Sequence, residues 1–287
     1  MIDRVIDIYI LMKISLCLVI SMANSYMTDE EYETCFMKFW GIREMIARSL
    51  LPYGLAEGKH ILDIPSGHGL FALEIAKLLS SGHVHGIGLF NDLETFQALS
   101  RSLHPADVPF FKKIYYYLMD ATHLGFSSSS FDFVVNFLGF EDINMTRGKE
   151  GVRKAIQECH RVLKPGGIFQ LTLCLEGDAP DEKIATDVYT LLGCDAIFYS
   201  KEFYVDELIR SGFIVLDEQW VHTCRKMTAR QAKEEIYFAC TQTPCIFSSY
   251  AVHTVPFDTL WKKVKDRIET HGMAYYSHLC VFISSKK

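Results

Sequence analysis

The segment Ile61–Ala72 reads ILDIPSGHGLFA and predicts a strand, a tight turn and a helix in immediate succession. The apolar strand ends at Asp63, and Gly67 and Gly69 permit a sharp turn and a close approach of the backbone to another molecule. A helix that begins there aims its first N–H groups into the crevice beyond the strand, where a nucleotide-like ligand fits. Gly67, Gly69 and Ala72 also match the dinucleotide-binding pattern G-x-G-x-x-G/A, so this segment alone does not identify the ligand. A turn that only joins the strand to the helix, with no ligand, is the alternative.

From Lys59 onward, strand patterns alternate with helix patterns. Such alternation is typical of parallel strands joined by crossover helices, so we predict an α/β, Rossmann-like, doubly wound and mostly parallel seven-stranded sheet. The run Phe131–Leu138 is almost continuously apolar, which indicates a strand buried on both faces. The first five strands are predicted near 60–64, 84–88, 114–118, 131–137 and 167–174, with helices near 69–80, 92–101 and 149–163.

The rest of the chain predicts two helices, a sixth strand and a long excursion before the last strand. We expect helices at 180–192 and at 201–211, the latter capped by Ser200, and strands at 213–219 and 279–283. The excursion, residues 221–275, is predicted to contain a helix opened by a Thr228–Gln231 capping box, an irregular Thr243–Pro244 region and a helix over 257–270. We interpret it as a lid-like helical insertion, with a peripheral structural insertion as the alternative.

The amino-terminal residues 1–27 are predicted to be an extension that is disordered or loosely docked. The apolar run 14–23 is shorter than the about 20 residues that a membrane span needs. The charges before it are mixed rather than positive, unlike those of a signal peptide. We expect the ordered domain to cover 28–287 and to open with a helix from a capping box at Thr28 to about Leu51.

Composition excludes several function classes. With 49% hydrophobic residues the chain can build a large core, and 29 Lys+Arg against 35 Asp+Glu give a net charge of −6, so nucleic acid is not the expected substrate. The nine cysteines show no C-x-x-C pair or zinc spacing, and we predict free thiols, no metal site and a cytoplasmic location. Cys240 and Cys245 are interpreted as packing residues.

Three later segments give the glycine turn its context: Asp120-Ala121 after the third strand, FDFVVN at 131–136, and VLKPGG at 162–167. Their order and spacing resemble the class I S-adenosylmethionine-dependent methyltransferases, of the methyltransferase type 11 kind, over roughly residues 35–220. The resemblance implies that S-adenosyl-L-methionine is the cofactor. It also implies that the glycine loop and Asp63 hold the methionine end, and that Asp120 and Ala121 lie beside the adenine.

The full set of cofactor-binding residues that we expect is Asp63, Ser66, Gly67, His68, Gly69, Gly88, Asp120, Ala121 and Asn136. A turn-capping role ahead of Thr122 is the alternative for Asp120. One departure from the family concerns the acid that usually ends the second strand and accepts from both ribose hydroxyls, since Gly88 stands there. Asn91 or Asp92 is the candidate substitute, because either side chain has an oxygen that can accept from a hydroxyl.

Methyl transfer to a nucleophilic acceptor requires alignment more than acid or base chemistry, so we designate no catalytic side chain. The candidate acceptor pocket is the segment 136–142 together with aromatic residues, for which plain core packing is the competing interpretation. The aromatic candidates are Phe39, Trp40, Phe137 and Phe140.

The sequence therefore predicts an enzyme that methylates a small molecule. A catalytically silent methyltransferase-like binding or regulatory subunit is the main alternative, and the missing ribose acid is its support. An NAD-dependent oxidoreductase is disfavoured, because its fingerprint needs an acid on the second strand, where this chain has Gly88.

Overall fold

The computed structural model describes residues 41–195, 197–223, 226–274 and 276–287. The described strands form a seven-stranded sheet in the order β3-β2-β1-β4-β5-β7-β6, in which β1 to β5 are parallel and β7 is antiparallel to both of its neighbours. The predicted Rossmann-like α/β fold is therefore confirmed. The strands are β1 (Lys59–Asp63), β2 (Gly82–Gly88), β3 (Ile114–Leu118), β4 (Phe131–Phe137), β5 (Leu163–Leu173), β6 (Phe213–His222) and β7 (His278–Lys286).

Eight α-helices surround the sheet over residues 70–271 of the described part of the chain, and residues 41–48 are also helical. The predicted opening of that first helix at Thr28, the extension 1–27, Phe39 and Trp40 lie outside the described residues. No described helix is both long and apolar enough to span a bilayer. The helices are α1 (Leu70–Leu78), α2 (Phe90–Ser102), α3 (Val108–Phe111), α4 (Phe140–Val162), α5 (Pro180–Leu192), α6 (Lys201–Arg210), α7 (Ala229–Ile246) and α8 (Phe257–His271).

The central strands are apolar on both sides because both faces of the sheet are covered. Leu62 and Val134 belong to a core cluster beneath α4 and α6, whereas their neighbours Ile61 and Phe133 belong to a second cluster beneath α1. Successive residues of a strand point to opposite faces, so a strand between two cores reads as a continuous apolar run. This packing places the carboxyl ends of β1, β2 and β4 at one edge of the sheet.

Two predicted helix caps are present. Ser200 Oγ accepts from the backbone N–H of Phe203 at the start of α6, at 3.4 Å. At the start of α7, Thr228 Oγ1 accepts from Gln231 N at 3.3 Å, and Gln231 Oε1 accepts from Thr228 N at 3.0 Å. The local sequence sets these helix starts, because side-chain oxygens satisfy N–H groups that lack a partner within the helix.

One predicted boundary is confirmed and one is wrong. The helix expected over 149–163 follows Gly148, whose non-helical backbone (φ +65°) forms a kink between it and a preceding helical segment that begins at Phe140. The Thr243–Pro244 region is helical, since α7 continues to Ile246. Pro244 has no N–H to donate to the carbonyl of Cys240, and the Thr254 hydroxyl donates to that carbonyl at 2.7 Å instead.

The insertion between β6 and β7 packs on α5 through its own apolar cluster. Leu260, Val264 and Ile268 of α8 are each at most 1% exposed and lie one turn apart, facing buried residues of α5 and α7. The apolar cluster covers one side of α7. The other side of α7 lies near the carboxyl ends of β1, β2 and β4.

Candidate functional site

A cavity of about 500 Å³ lies at the carboxyl ends of the parallel strands. Its wall combines the glycine turn after β1, the ends of β2 and β4, the loop after β3, the first turns of α4, and one side of α7. Crevices at this edge of an α/β sheet are where such folds bind ligands. The residues predicted from sequence that line it are Asp63, Ser66, Gly67, His68, Gly88, Asp120, Ala121 and Phe137.

The glycine turn is built from two left-handed glycines with different surroundings. Gly67 has a φ of +49° and lines the cavity, with no atom within 4 Å of the position that a Cβ would take. Gly69 has a φ of +81°, and a Cβ there would lie 2.5 Å from the Phe96 ring. Gly69 therefore serves the close packing of the loop on α2, and the structure does not place it in the cavity wall, contrary to the expectation from sequence.

Asp63 is a buried carboxyl group at the floor of the cavity, with 1% of its surface exposed. Ser66 Oγ donates to Oδ2 at 2.7 Å, while Oδ1 is buried and accepts no hydrogen bond of good geometry from the described residues. Burial raises the pKa of Asp63 to about 7, against the lowering effects of the Ser66 hydroxyl, the Ala72 amide and the Arg43 charge. A cationic group that enters the cavity would find a carboxylate oxygen ready to pair with it.

The end of β2 explains why Gly88 replaces the acid of the family. A Cβ at Gly88 would lie 1.9 Å from the hydroxyl oxygen of Tyr116 and 3.0 Å from Asp92 Oδ2. Tyr116 is held in that place because its hydroxyl donates to the carbonyl of Gly67 at 2.6 Å and its ring stacks on Phe96. Only a residue without a side chain fits at position 88, and the Asp92 carboxylate from the first turn of α2 lies beside it.

Asp120 both caps the turn after β3 and lines the cavity. Its Oδ1 accepts from the N–H and hydroxyl of Thr122 at 2.8 and 2.7 Å, and its Oδ2 accepts from Arg147 Nε and Nη2 at 3.1 and 2.7 Å. Partial burial raises the pKa of Asp120, but the hydrogen bonds from Arg147 and Thr122 outweigh it and hold the pKa below its ordinary value. The Arg147 guanidinium also lies 4.5 Å from the centre of the Tyr250 ring, which connects this turn to the insertion.

Two predicted site residues belong to the core and require correction. Asn136 is fully buried in β4, where its Nδ2 donates to the carbonyl of Ile64 at 2.9 Å. Phe140 is also fully buried and packs against Phe169. Because side chains alternate along a strand, Phe137 reaches the cavity and its neighbour Asn136 does not.

A further carboxyl group, that of Asp142, faces the cavity from the start of α4. The Asp142 side chain is accessible from the cavity, yet the protein around it, with Glu141 and Asp92, raises its pKa to about 8. Burial raises the pKa of the neighbouring Glu141 to about 7, although Glu141 Oε1 accepts from Cys174 N at 3.1 Å. Burial lowers the pKa of His68, so this imidazole is neutral at pH 7.

No sequence motif predicted the side of the cavity opposite the glycine turn. Arg43, from the helical segment 41–48, lies with its guanidinium 4.9 Å from the centre of the Phe137 ring and is close enough to Asp63 to lower the pKa of that carboxyl. Tyr189 of α5 donates to Glu235 of α7 at 3.2 Å. The remaining wall residues from the insertion are Phe238, Ala239, Thr243, Phe247 and Tyr250, which fall in the aromatic stretch of the excursion.

The two cysteines of α7 lie in different surroundings. Cys240 is buried in the apolar cluster of α5, α7 and α8, and burial raises the pKa of its thiol to about 11. Cys245 is exposed one and a half turns further along α7. Within the described ranges, no group of three or more His, Cys, Asp or Glu side chains has a geometry that holds a metal ion.

Comparison with known sequences agrees with this architecture. A family model described as a methyltransferase domain matches residues 62–171. The ubiquinone/menaquinone biosynthesis C-methyltransferase UbiE of Rickettsia prowazekii is 30% identical over 130 residues, which is 45% of this chain and 49% of that protein. The chain thus spans about half the length of the curated relatives that it matches.

Solved structures share the fold at low sequence identity. A putative methyltransferase from Bacillus halodurans has a TM-score of 0.56 at 16% identity, covering 84% of this chain and 98% of that one. The cyclase SpnF has a TM-score of 0.57 at 18% identity, covering 86% and 80%. These likenesses show the fold alone. The family match, the strand order and the glycine turn therefore agree that residues 62–171 form a methyltransferase domain within a Rossmann-like fold.

Proposed function

We propose that this chain is an S-adenosylmethionine-dependent methyltransferase that acts on a small-molecule acceptor by direct in-line transfer. The observation that carries the proposal is Asp63, a residue of the cavity wall whose buried Oδ1 accepts no hydrogen bond of good geometry from the described residues. A buried carboxylate oxygen without a hydrogen bond destabilises the folded protein unless a ligand donates a hydrogen bond to it or pairs with its charge. The ammonium group of the methionine end of the cofactor meets that requirement.

The remaining wall residues suit the other parts of the cofactor. Arg43 supplies a positive charge beside Asp63, so the two side chains can hold the carboxylate and the ammonium of one zwitterion. Gly67 allows the backbone to approach the ligand closely, because no side chain stands there. Asp120 and Ala121 line the part of the cavity beneath Arg147, where the family resemblance puts adenine.

When bound, S-adenosylmethionine supplies an electrophilic methyl group on a sulfonium. The protein holds the acceptor in line with that group, and such alignment can contribute about 7–11 kcal/mol to lowering a barrier. Phe137 and the aromatic residues of α7 and of the segment that follows it exclude water from the acceptor side. Glu235 and Tyr189 provide the polar contacts there that can orient an acceptor.

We propose that the insertion, residues 221–275, is a lid that shapes the acceptor pocket. Glu235, Phe238 and Thr243 reach the cavity wall from α7, whereas α8 packs away from it. A cavity of about 500 Å³ that is shared by cofactor and acceptor favours a small acceptor over a macromolecule. Thr243→Phe should therefore weaken or change the use of an acceptor without changing cofactor affinity, and equal kinetics for acceptors of different size would contradict the lid.

The first experiment is a calorimetric titration of the protein with S-adenosylmethionine, S-adenosylhomocysteine and, as a control, NADH. We expect micromolar binding of the two adenosyl ligands, weakened by Asp120→Ala and by Gly67→Val, and no heat with NADH. The exposed Asp206→Ala on α6 is the matched control and should bind like the unmodified protein.

Absence of adenosyl binding would favour the second candidate, a non-catalytic methyltransferase-like subunit. The observation in its favour is Gly88, which leaves the end of β2 without the ribose acid of the family. NADH binding would favour an oxidoreductase. A cytoplasmic location stays a prediction.

A further inference from the structure

We propose that Asp92 of α2 and Asp142 of α4 together bind the ribose hydroxyls of the cofactor, in place of the acid that Gly88 cannot provide. This assignment rests on the proposed function. It goes beyond that function by naming a ribose site made from two helices instead of the end of a strand.

The position of Asp92 carries the first half of the assignment. Its Oδ2 lies 3.0 Å from the point where a Cβ at Gly88 would stand, so the carboxylate lies beside the end of β2, where a side chain at 88 would begin. That oxygen accepts from the N–H of Leu89 at 2.9 Å, which fixes the carboxylate at the helix start. The other oxygen accepts no hydrogen bond from the described residues, and Asp92 lines the cavity.

Asp142 faces the same space from the first turn of α4. The residues of α4 that line the cavity run from Asp142 through Thr146 to Arg147, and Arg147 pairs with Asp120 at the adenine end. Asp142 therefore lies in the cavity wall on the N-terminal side of Arg147, on the same helix. Its carboxyl has no hydrogen-bond partner among the described residues, and Asp92 is one of the charges that raise its pKa, so the two groups lie close enough to interact.

The two carboxyl groups suit a vicinal diol better than a cation or an anion. The other titratable groups that interact electrostatically with one of the two are Glu141, His68, Tyr116 and Tyr250. His68 is neutral at pH 7 because burial lowers its pKa. A diol offers two hydroxyl donors, and one carboxyl oxygen on each side can accept one of them.

The test is a binding cycle between protein variants and ligands that differ only in the ribose. S-Adenosylhomocysteine and its 2′-deoxy and 3′-deoxy analogues are titrated calorimetrically into the unmodified protein, Asp92→Ala and Asp142→Ala. In the unmodified protein, removal of a hydroxyl should weaken binding about tenfold, as expected when a buried hydrogen bond to a carboxyl oxygen is lost. Each variant should bind S-adenosylhomocysteine about tenfold or more weakly and should lose discrimination against one of the deoxy analogues.

Two further variants guard against misfolding and charge effects. Asp92→Asn keeps an oxygen for the Leu89 N–H and should still weaken binding, while Glu94→Ala removes an exposed acid from the same helix and should not. In the Asp92→Ala background, Gly88→Asp combined with Tyr116→Phe restores an acid at the end of β2, because Tyr116→Phe removes the atom that blocks position 88. This combination should recover affinity and ribose discrimination.

Each outcome is decisive. If both alanine variants still prefer S-adenosylhomocysteine over the two deoxy analogues as strongly as the unmodified protein does, the ribose assignment is overturned and the proposed function stays in place. Failure of the unmodified protein to bind S-adenosylhomocysteine would overturn the proposed function, and the assignment with it.

Discussion

Replacing Asp63 by asparagine should stabilise the ligand-free protein and abolish cofactor binding. The folded protein raises the pKa of this carboxyl from 3.8 to about 7. Between these values the unfolded chain has lost the proton that the folded chain retains, so stability falls as pH rises. A difference of roughly three pKa units corresponds to about 4 kcal/mol at most, and we expect about 2–4 kcal/mol to be recovered in Asp63→Asn at pH 7 to 8.

The assay is denaturant unfolding of the ligand-free protein between pH 4 and pH 8. The difference in unfolding free energy between Asp63→Asn and the unmodified protein should be small near pH 4 and should grow until the pH passes the folded pKa. Asparagine retains an oxygen that can accept from Ser66 Oγ, so the local packing is kept. The exposed Asp206→Asn is the control, and its difference should not change with pH.

The same carboxyl should make cofactor binding depend on pH. Below pH 7 the proton must leave Asp63 before an ammonium can pair with it, so S-adenosylhomocysteine should bind more tightly as pH rises from 5 to 7, by up to about tenfold per pH unit. Asp63→Asn should bind weakly at every pH. A stability difference that is constant across the pH range would refute the reasoning, because it would mean that Asp63 ionises alike in the folded and unfolded chain.

Two further predictions use double-mutant cycles followed by thermal or denaturant unfolding. Gly88→Ala should destabilise the protein by about 1–3 kcal/mol, because the added methyl group meets the Tyr116 hydroxyl. Most of that cost should disappear when Gly88→Ala is made in the Tyr116→Phe background. Equal costs in both backgrounds would contradict the steric account. Thr254→Val should lower the free energy of unfolding by about 1–2 kcal/mol, because the Cys240 carbonyl loses its hydrogen-bond donor. The loss should be smaller in the Pro244→Ala background, where the backbone N–H of residue 244 can donate to that carbonyl. Additive effects of the two substitutions would show that the Thr254 hydroxyl has another role.

Much of the fold could be predicted because its signals are local or periodic. The strands at 114–118 and 131–137 and the helix at 180–192 were predicted with the bounds that the structure has. Continuous apolar runs identified the buried strands, and side-chain oxygens identified the caps at Ser200 and Thr228. The prediction failed at Pro244, where a donor from another segment, Thr254, replaces the missing helix hydrogen bond.

The cavity could be predicted only in part. Asp63, Gly67 and Asp120 follow directly from strand ends, since the carboxyl ends of parallel strands meet at one edge of the sheet. Asn136 and Phe140 were misplaced because sequence spacing does not say which side of a strand end or first helical turn faces the crevice.

The sequence by itself determined the alternation of strands and helices and the glycine turn, because these depend on short-range chemistry and on the period of apolar residues. The order and spacing of its motifs also carried the resemblance to a methyltransferase family. Only the tertiary structure decided which charges meet across the cavity. Arg43, Arg147 and Glu235 come from distant segments, and Gly88 is explained by Tyr116 on the neighbouring strand. Such contacts join residues far apart in the chain, and they exist only after packing has fixed the distance between their backbones.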